Sequence, residues 1–343
     1  MILYNKIDRR VLKLKLMQEN FERKTLSFYR FVAVEDPQQY RDELFLKLSE
    51  MKVFGRIYVA KEGINAQISV PLPDYDRFKN YIYQHPYTQD VLLNEAVEDN
   101  GKSFYKLKIL VKYKILSDGL DNSSFDIYNV GEHLDAVSYN QKLNEPGTVV
   151  IDLRNHYEHE VGHFQNAILP DVDTYKESIP LIVNMLKEKQ PKNVMLYCTG
   201  GIRCEKFSAY LKHQGFDHVF QLKGGVINYA HQVRELRLES KFKGKNFVFD
   251  DRMGERVTDE IIASCHQCGA PADNHVNCAN DACHLLFIQC DKCAANYDQC
   301  CSAECQKMIQ LPEDVQKQLR KGYVHPNAHH KGRFEKNFIE VFS

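Results

Sequence analysis

The chain has 343 residues, 43% of them hydrophobic and 27% charged, the proportions of a globular protein with room for two or three domains. Its formal net charge of −1 excludes a molecule-wide field for nucleic acid and leaves any such binding to local patches. No run of eighteen apolar residues occurs, and the opening MILYNKIDRRVLKLKLMQEN has no uncharged apolar stretch, so neither a membrane helix nor a secretory signal is expected.

Residues 1–24 read as an N-terminal extension. Residues 25–34 then read as a strand, and 38–52 have helical spacing with Tyr40, Leu44, Phe45 and Leu48 on one side. Two short strands follow, RIYVA and NAQISV, broken at Glu62-Gly63, and Asp74 is placed to cap a helix over 75–84. Residues 104–116 alternate and predict one long final strand. The order βαββαβ predicts a ferredoxin-like domain over 25–118. By the two-residue period, Leu107, Ile109, Val111, Tyr113 and Ile115 share one face of that last strand, and Lys106, Lys108, Lys112 and Lys114 share the other. A lysine ladder of this kind is either a solvated face or a grip for a phosphate backbone. Residues 1–30 carry a second basic bias, eight Lys/Arg against three Asp/Glu. The tail 311–343 adds a third, with His325, His329, His330, Lys331 and Arg333.

The central block, 127–240, alternates short apolar strands with helices. Residues 148–152, 193–197 and 218–222 are the strands; 175–188 and 203–213 are helices, the second stopped by Gly215. This pattern predicts a parallel sheet covered on both faces, with functional groups at the carboxyl ends of strands. Cys198 stands at such an end, in Tyr197-Cys198-Thr199-Gly200-Gly201-Ile202-Arg203, which runs directly into a helix. Two glycines let the loop curl its N–H groups inward, a helix N-terminus lies behind the sulfur, and Arg203 adds a cation. Such settings lower a cysteine pKa to roughly 3.5–7.5. Cys204, just inside the helix, reads as a core-facing small residue or a resolving thiol.

The motifs Ile151-Asp152-Leu153-Arg154-Asn155, Tyr157-Glu158, Gly162-His163-Phe164, the loop Tyr197 to Lys206, Leu222-Lys223-Gly224-Gly225 and Phe247-Val248-Phe249-Asp250 together resemble the rhodanese-domain tRNA uridine hydroxylases. The resemblance runs from about residue 25 to about 305. It implies a rhodanese-type domain over 127–240. It also implies dioxygen-dependent hydroxylation of the wobble uridine, position 34, to 5-hydroxyuridine, with the anticodon loop of tRNA as partner. It carries the family cysteine onto Cys198 and the loop arginine onto Arg203, with Thr199, Gly200, Gly201 and Ile202 as the anion-binding loop and Asp152 and Arg154 as supporting residues. This chain departs from the family pattern at Ala66-Gln67, at Lys114 and at Asn246. No flavin or nicotinamide fingerprint accompanies these motifs. The thiolate could add to C6 of the pyrimidine, or carry a persulfide or peroxide-level oxidant. A sulfurtransferase working through a Cys198 persulfide would share every feature of the loop, whereas a phosphatase would need one more residue between cysteine and arginine. A non-enzymatic binding module would leave the thiolate without a purpose.

Two histidine patterns are decoys. His159-Glu160-Val161-Gly162-His163 spells H-E-x-x-H, which binds zinc only when helical, and Gly162 argues against a helix. His156-x-Glu158 imitates half of an iron facial triad, but the spacing alone is weak and His156 reads as a surface loop residue.

Nine of the eleven cysteines lie between Cys265 and Cys305. With no export signal, a reducing cytoplasm is expected, where clustered thiols point to metal rather than disulfides. Cys265-x2-Cys268, Cys278-x4-Cys283, Cys290-x2-Cys293 and Cys301-x3-Cys305 are four pairs at zinc-ligand spacing, enough for two structural zinc ions in a small domain over 258–310. Order in sequence does not decide the pairing. An interleaved arrangement joins Cys265, Cys268, Cys290 and Cys293 in one site and Cys278, Cys283, Cys301 and Cys305 in the other, leaving Cys300 spare, and His266 or His284 could replace a ligand.

Overall fold

The structure, a computed structural model, describes residues 7–321. The tail residues His325, His329, His330, Lys331 and Arg333 lie outside the described residues. The N-terminal extension includes helix α1 (Arg9–Met17), capped by the Asp8 carboxylate, which accepts from the Arg10 N–H.

The first layer is a five-stranded sheet made of β1 (Arg23–Phe31), β2 (Phe54–Ala60), β3 (Gly63–Pro71), β4 (Asn94–Glu95) and β5 (Leu107–Val111), in the order β4-β1-β3-β2-β5. Helix α2 (Pro37–Glu50) forms because Asp36 accepts from the N–H groups of Gln38 and Gln39 and Pro37 fits the first turn. It buries Tyr40, Leu44 and Leu48. Helix α3 (Tyr75–Gln84) buries Phe78 and Ile82, though Asp74 makes no side-chain cap. Both cover the face that carries Leu26, Phe28, Ile57, Val59, Ile64, Ala66 and Ile68, all at most 2% exposed. The opposite face bears no helix. There the registers set Ser27, Gln67, Arg56 and Lys108 in one cross-strand row, and Tyr29, Asn65 and Tyr58 in the next.

The long strand expected over 104–116 is shorter and lies elsewhere. β5 ends at Val111 and pairs parallel with β2 at the far edge, while the two-residue β4 takes the position beside β1. Val111, the last residue of β5, is exposed, and Tyr113 beyond it is 93% exposed. The Lys112 N–H makes the last bond to β2, at Val59 O, and the chain then leaves the sheet. Lys114 is not part of a ladder: its ammonium donates to Asp118 Oδ1 at 3.0 Å and to the Leu120 carbonyl.

The second layer is an all-parallel sheet built from β6 (Glu132–Leu134), β7 (Thr148–Asp152), β9 (Asn193–Tyr197) and β10 (Val219–Leu222), in the order β6-β10-β9-β7. Helices α6 (Tyr175–Lys189) and α7 (Ile202–His213) pack on Ile151, Val194 and Leu196; α4 (Ala136–Lys142) and α8 (Gly225–Leu236) pack on Val150, Met195 and Tyr197. Successive strand residues thus feed two cores, as a doubly covered sheet requires. Between β7 and α6 lie a short helix, α5 (His156–His159), and strand β8 (Gly162–Phe164). The H-E-x-x-H run is therefore split between a helix end and a strand. β8 pairs with β11 (Phe242–Asn246), which pairs in turn with β12 (Glu255–Arg256).

The cysteine block holds a hairpin, β13 (His275–Asn277) with β14 (Leu286–Ile288), and helices α9 (Asp291–Asn296) and α10 (Ala303–Ile309); α11 (Glu313–Arg320) follows. His266 Nε2 meets Glu160 at 2.6 Å and ties the block to the segment after α5. Among the described residues no helix is long and apolar enough to cross a membrane.

One buried ionic group joins the two layers. Lys206 on α7 has no exposed surface, and its ammonium lies 2.8 Å from Glu62, in the β2–β3 turn, and 2.7 Å from Asp118. Glu62 also accepts from the Ile115 N–H at 2.7 Å, and Asp118 from Lys114. Two cations thus balance two carboxylates. Lys206→Met should lower the unfolding free energy by about 3–5 kcal/mol, because it strands buried carboxylates. Exposed Lys108→Met should stay within about 0.5 kcal/mol. Urea denaturation of both variants measures the difference.

Candidate active site

Cys198 closes β9, and the five residues to Ile202 turn the chain into α7. The turn depends on Gly201, at φ +102°, where a Cβ would also stand 2.9 Å from the Tyr29 hydroxyl. The N-terminus of α8 draws the loop carbonyls away from the sulfur: Val226 N–H donates to Cys198 O at 3.0 Å and Ile227 N–H to Thr199 O at 3.2 Å. With the carbonyls so engaged, the amides face inward, and the Gly201 N–H donates to Cys198 Sγ at 3.1 Å. A side chain at Gly225 would collide with the same two carbonyls at 2.5 Å.

Cys198 is 1% exposed. Burial pushes its thiol up, but the Cys204 thiol, the Arg203 charge and the Cys204 and Arg203 amides outweigh burial and bring it down to about 6. Cys204 is held well above the ordinary thiol range, first by burial and then by its hydrogen bond to Cys198. At neutral pH the pair is thus one thiolate and one thiol donor, and Cys204 packs in the core as well.

Arg203 is not a free cation. Its guanidinium meets Glu158 at 2.9 Å and donates to Leu153 O at 3.2 Å. Glu158 is fully buried and also accepts from the Thr199 hydroxyl at 3.1 Å and from the Asn155 N–H at 3.0 Å. It therefore fixes both the arginine and the loop. Its role was not readable from the local spacing, since it lies forty-five positions from Arg203. This engagement also removes Glu158 as half of an iron triad; His156 lies instead 3.6 Å from Asp173. Asp152 and Arg154 form a buried pair at 2.7 Å behind the loop. Arg154 donates further to Gly162 O at 2.6 Å and to Asn246 Oδ1 at 3.3 Å, so the unusual asparagine at 246 completes this arginine's set.

The loop forms the floor of a cleft of about 300 Å³ whose roof is the helix-free face of the first sheet. Ser27, Tyr29, Arg56, Tyr58, Asn65 and Gln67 line the roof. Asn94 reaches down from β4 and donates to Gly200 O at 3.2 Å. The third wall is the segment after β11, with Phe249, Asp250, Arg252 and Glu255. Of these walls the motifs had drawn attention only to 247–250; the roof could have been found from the alternation of Arg56 and Tyr58 with Ile57 and Val59. Lys108 joins Arg56 beside a second hollow of about 300 Å³ that shares Phe249 with the cleft and also holds Tyr105 and Lys106.

In the cysteine block the side chains gather as Cys265, Cys268, Cys290 and Cys293, and as Cys278, Cys283, Cys301 and Cys305, with the four sulfurs of each set within 4.8 Å of one another. This is the interleaved pairing. The sulfurs of Cys268 and Cys290, of Cys283 and Cys301, and of Cys301 and Cys305 are 3.7 Å apart. Tetrahedral bonds of about 2.3 Å place ligands about 3.8 Å apart, so both sets fit one metal ion each. His266 and His284 belong to neither set, and Cys300 is buried outside both.

The reactivity of Cys198 is directly measurable. Its iodoacetamide alkylation rate should rise through a midpoint near pH 6, and Glu158→Gln, which loosens the loop and its arginine, should change that midpoint while leaving the metal content untouched. A rate that rises only near the free-thiol pKa of about 8.5 would contradict the thiolate assignment.

Residues 23–115 match the family described as UPF0176 acylphosphatase like domain, 135–232 the rhodanese-like domain and 243–306 the rhodanase C-terminal segment. The tRNA uridine(34) hydroxylase of Yersinia enterocolitica is 51% identical over 322 residues, 94% of this chain and 92% of that one. The protein of the same name from Pectobacterium atrosepticum is 50% identical, again over 94% of this chain and 91% of its own. Among solved structures, the rhodanese-like domain from Anabaena sp. covers 33% of this chain and 78% of its own at 22% identity, with a TM-score of 0.26, too low to carry an argument. The acylphosphatase-like sheet, the rhodanese loop and half-identity across nearly the whole length lead to one conclusion: this chain belongs to the tRNA uridine(34) hydroxylase family.

Proposed function

We propose that this protein hydroxylates carbon 5 of uridine 34 in tRNA, with dioxygen as the source of the oxygen atom. The observation that carries the mechanism is the Cys198 thiolate on the floor of a cleft roofed by Tyr58, Asn65 and Gln67. C6 of uracil is conjugated to the C4 carbonyl and accepts a thiolate. Addition there moves an electron pair toward C5 and O4 and makes C5 the nucleophile that takes up one atom of dioxygen, while a two-electron donor and two protons carry the other atom away as water. The amides of the loop and Arg203 hold the sulfur as the anion before addition and after its release. Uridine 34 lies in the anticodon loop, where it is already unpaired, so presenting it to a cleft costs less than extraction from a duplex. Arg56, Lys106, Lys108 and Lys112, on or beside the roof, are placed to hold backbone phosphates without reading sequence; Lys114, engaged by Asp118, is not.

In this reading 25–118 is a ferredoxin-like unit with β4 as a shortened fourth strand and β5 as an addition, 127–240 is the rhodanese unit, and 258–310 is a zinc unit that closes the third wall. Residues 1–24 and 311–343 are an extension and a basic tail. The protein works in the cytoplasm, where tRNA and reduced cysteines coexist.

Incubation of unmodified tRNA with the protein in air, with a two-electron reductant present, should add one oxygen to uridine 34, read by nucleoside mass spectrometry. Cys198→Ser should fold normally and fall to background. Replacing Lys106, Lys108 and Lys112 with alanine should weaken tRNA binding. It should also flatten the salt slope by about 0.7 for every phosphate of single-stranded RNA that is no longer neutralised, with turnover of bound tRNA nearly unchanged. Gain of sulfur in place of oxygen would overturn the hydroxylase reading in favour of a Cys198 persulfide transferase.

Each set of four thiolates suits a structural zinc ion closed to substrate. The purified protein should carry two zinc ions per chain by elemental analysis. Cys265→Ala or Cys290→Ala should remove one and unfold part of 258–310, visible as faster amide hydrogen exchange, because structural zinc contributes about 10–16 kcal/mol in small domains.

A further inference from the structure

The third wall of the cleft holds an uneven set of charges. Asp250 grips the Arg252 guanidinium through both oxygens, at 2.6 and 2.9 Å, and its Oδ1 also accepts the Arg252 N–H. Glu255 meets the same guanidinium through Oε1 alone. The side chains of Asp250, Arg252 and Glu255 are 5%, 7% and 0% exposed, so two carboxylates share one cation away from water. Such a set is relieved when one carboxyl takes a proton. Asp250 has both oxygens committed. Glu255 has Oε2 buried without a hydrogen-bond partner. It is fixed on β12, opposite Asn246 of β11, and lines the same cleft as Cys198.

Of the two carboxylates that line the cleft, Glu255 is the one with a free oxygen. Arg203 is held by Glu158, and Tyr29 is pushed well above its ordinary range, chiefly by burial. The serine, asparagine and glutamine side chains do not titrate. Hydroxylation nevertheless needs a proton acceptor, because C5 of uridine begins with a hydrogen and ends with an oxygen.

We propose that Glu255 is the acid–base group of this cleft, its free carboxyl oxygen removing the proton from C5 of the uridine bound to Cys198. The inference rests on the hydroxylase function proposed for the same cleft. Once C5 carries the oxygen and C6 the sulfur, the carboxylate takes the C5 proton. The C–H pair becomes the C5–C6 double bond, and the C6–S pair returns to sulfur as thiolate. The step itself consumes no oxidant. Run without oxygen it has a counterpart: the protonated carboxyl gives its proton to C5 of the thiolate adduct, and solvent water takes the original C5 hydrogen from the opposite face before the thiolate leaves, which exchanges the C5 hydrogen with solvent.

Burial pushes the Glu255 carboxyl up to about 7, against the pull of Arg252. The charged groups that act on it are Arg252 and Asp250 on its own segment, and from the 96–98 segment it meets the Val97 amide; Arg56, Cys198 and Arg203 line the same cleft. As a base it must be ionised, so activity should rise with pH first as Cys198 ionises and again near 7.

The test uses the whole protein and unmodified tRNA. Without oxygen in deuterated water, the wild type should place deuterium at C5 of uridine 34. Glu255→Gln, which keeps the shape and an oxygen for Arg252, should slow both this exchange and aerobic hydroxylation by at least ~100-fold. It should also erase the upper limb of the pH profile, with tRNA affinity and Cys198 alkylation within about twofold. Glu255→Asp should restore part of the rate. The assignment is overturned if Glu255→Gln exchanges or hydroxylates within threefold of wild type, if it keeps the upper pH limb, or if the wild type hydroxylates without exchange. A wild-type protein that adds no oxygen to uridine 34 would instead overturn the hydroxylase function beneath it.

Discussion

The floor and roof of the cleft over Cys198 are tied together by Lys206, buried between two carboxylates. The lysine stands on the same helix that begins at the Cys198 loop, while Glu62 stands in the turn joining the two strands that carry Arg56, Tyr58, Asn65 and Gln67. Floor and roof are therefore positioned by one ammonium with no exposed surface. A fully buried charge tolerates little displacement, since any gap from its partners leaves it neither solvated nor paired. Asp118 brings the connecting segment into the same set, so the chain between the sheets is anchored where it passes the cleft. This ionic group explains why a sequence can keep Glu62-Gly63 and Glu205-Lys206 far apart in position and yet need both.

What could be read in advance was what lies close together in the chain. Cys198, the two glycines, Arg203 and the helix behind them occupy one short stretch, and strand ends in a parallel sheet are where such stretches become sites. Groups brought in from a distance were not legible. Glu158 binds Arg203 only because β7 and β9 are neighbours. Glu255 sits in a segment with no periodicity, so nothing local marks it as buried. The long strand misled for a different reason. Val111 and Tyr113 continue the alternation of Leu107 and Ile109, but alternation records side-chain character and not pairing, and the chain has left the sheet by Tyr113. The cysteine pairs were evident as pairs; their interleaving depends on the β13–β14 hairpin, which carries one pair past another.

The cysteine block bears on the cleft mechanically. Phe247 is buried against Tyr157 and His275, and it begins the segment that ends in Glu255. Arg256 reaches Asp273 at 2.6 Å, and His266 reaches Glu160. The third wall is thus clamped between the α5 segment and the cysteine-bearing block. This gives the block a part in holding the site although none of its cysteines approaches the cleft.

For the proposed uridine substrate, the neutralisation of Arg203 by Glu158 would decide which end of a nucleotide enters. In a loop whose arginine were unpaired, an incoming phosphate would find a cation waiting. Here that cation already has its counter-ion, and the thiolate leaves the pocket floor negative overall. Unpaired positive charge lies instead toward the rim, at Arg56 and Lys108. A phosphodiester is repelled from the depth and attracted to the mouth, whereas an uncharged uracil ring feels no such gradient. In the proposed reaction the fold would thereby act as an orientation filter, admitting the ring first and stopping the backbone at the threshold.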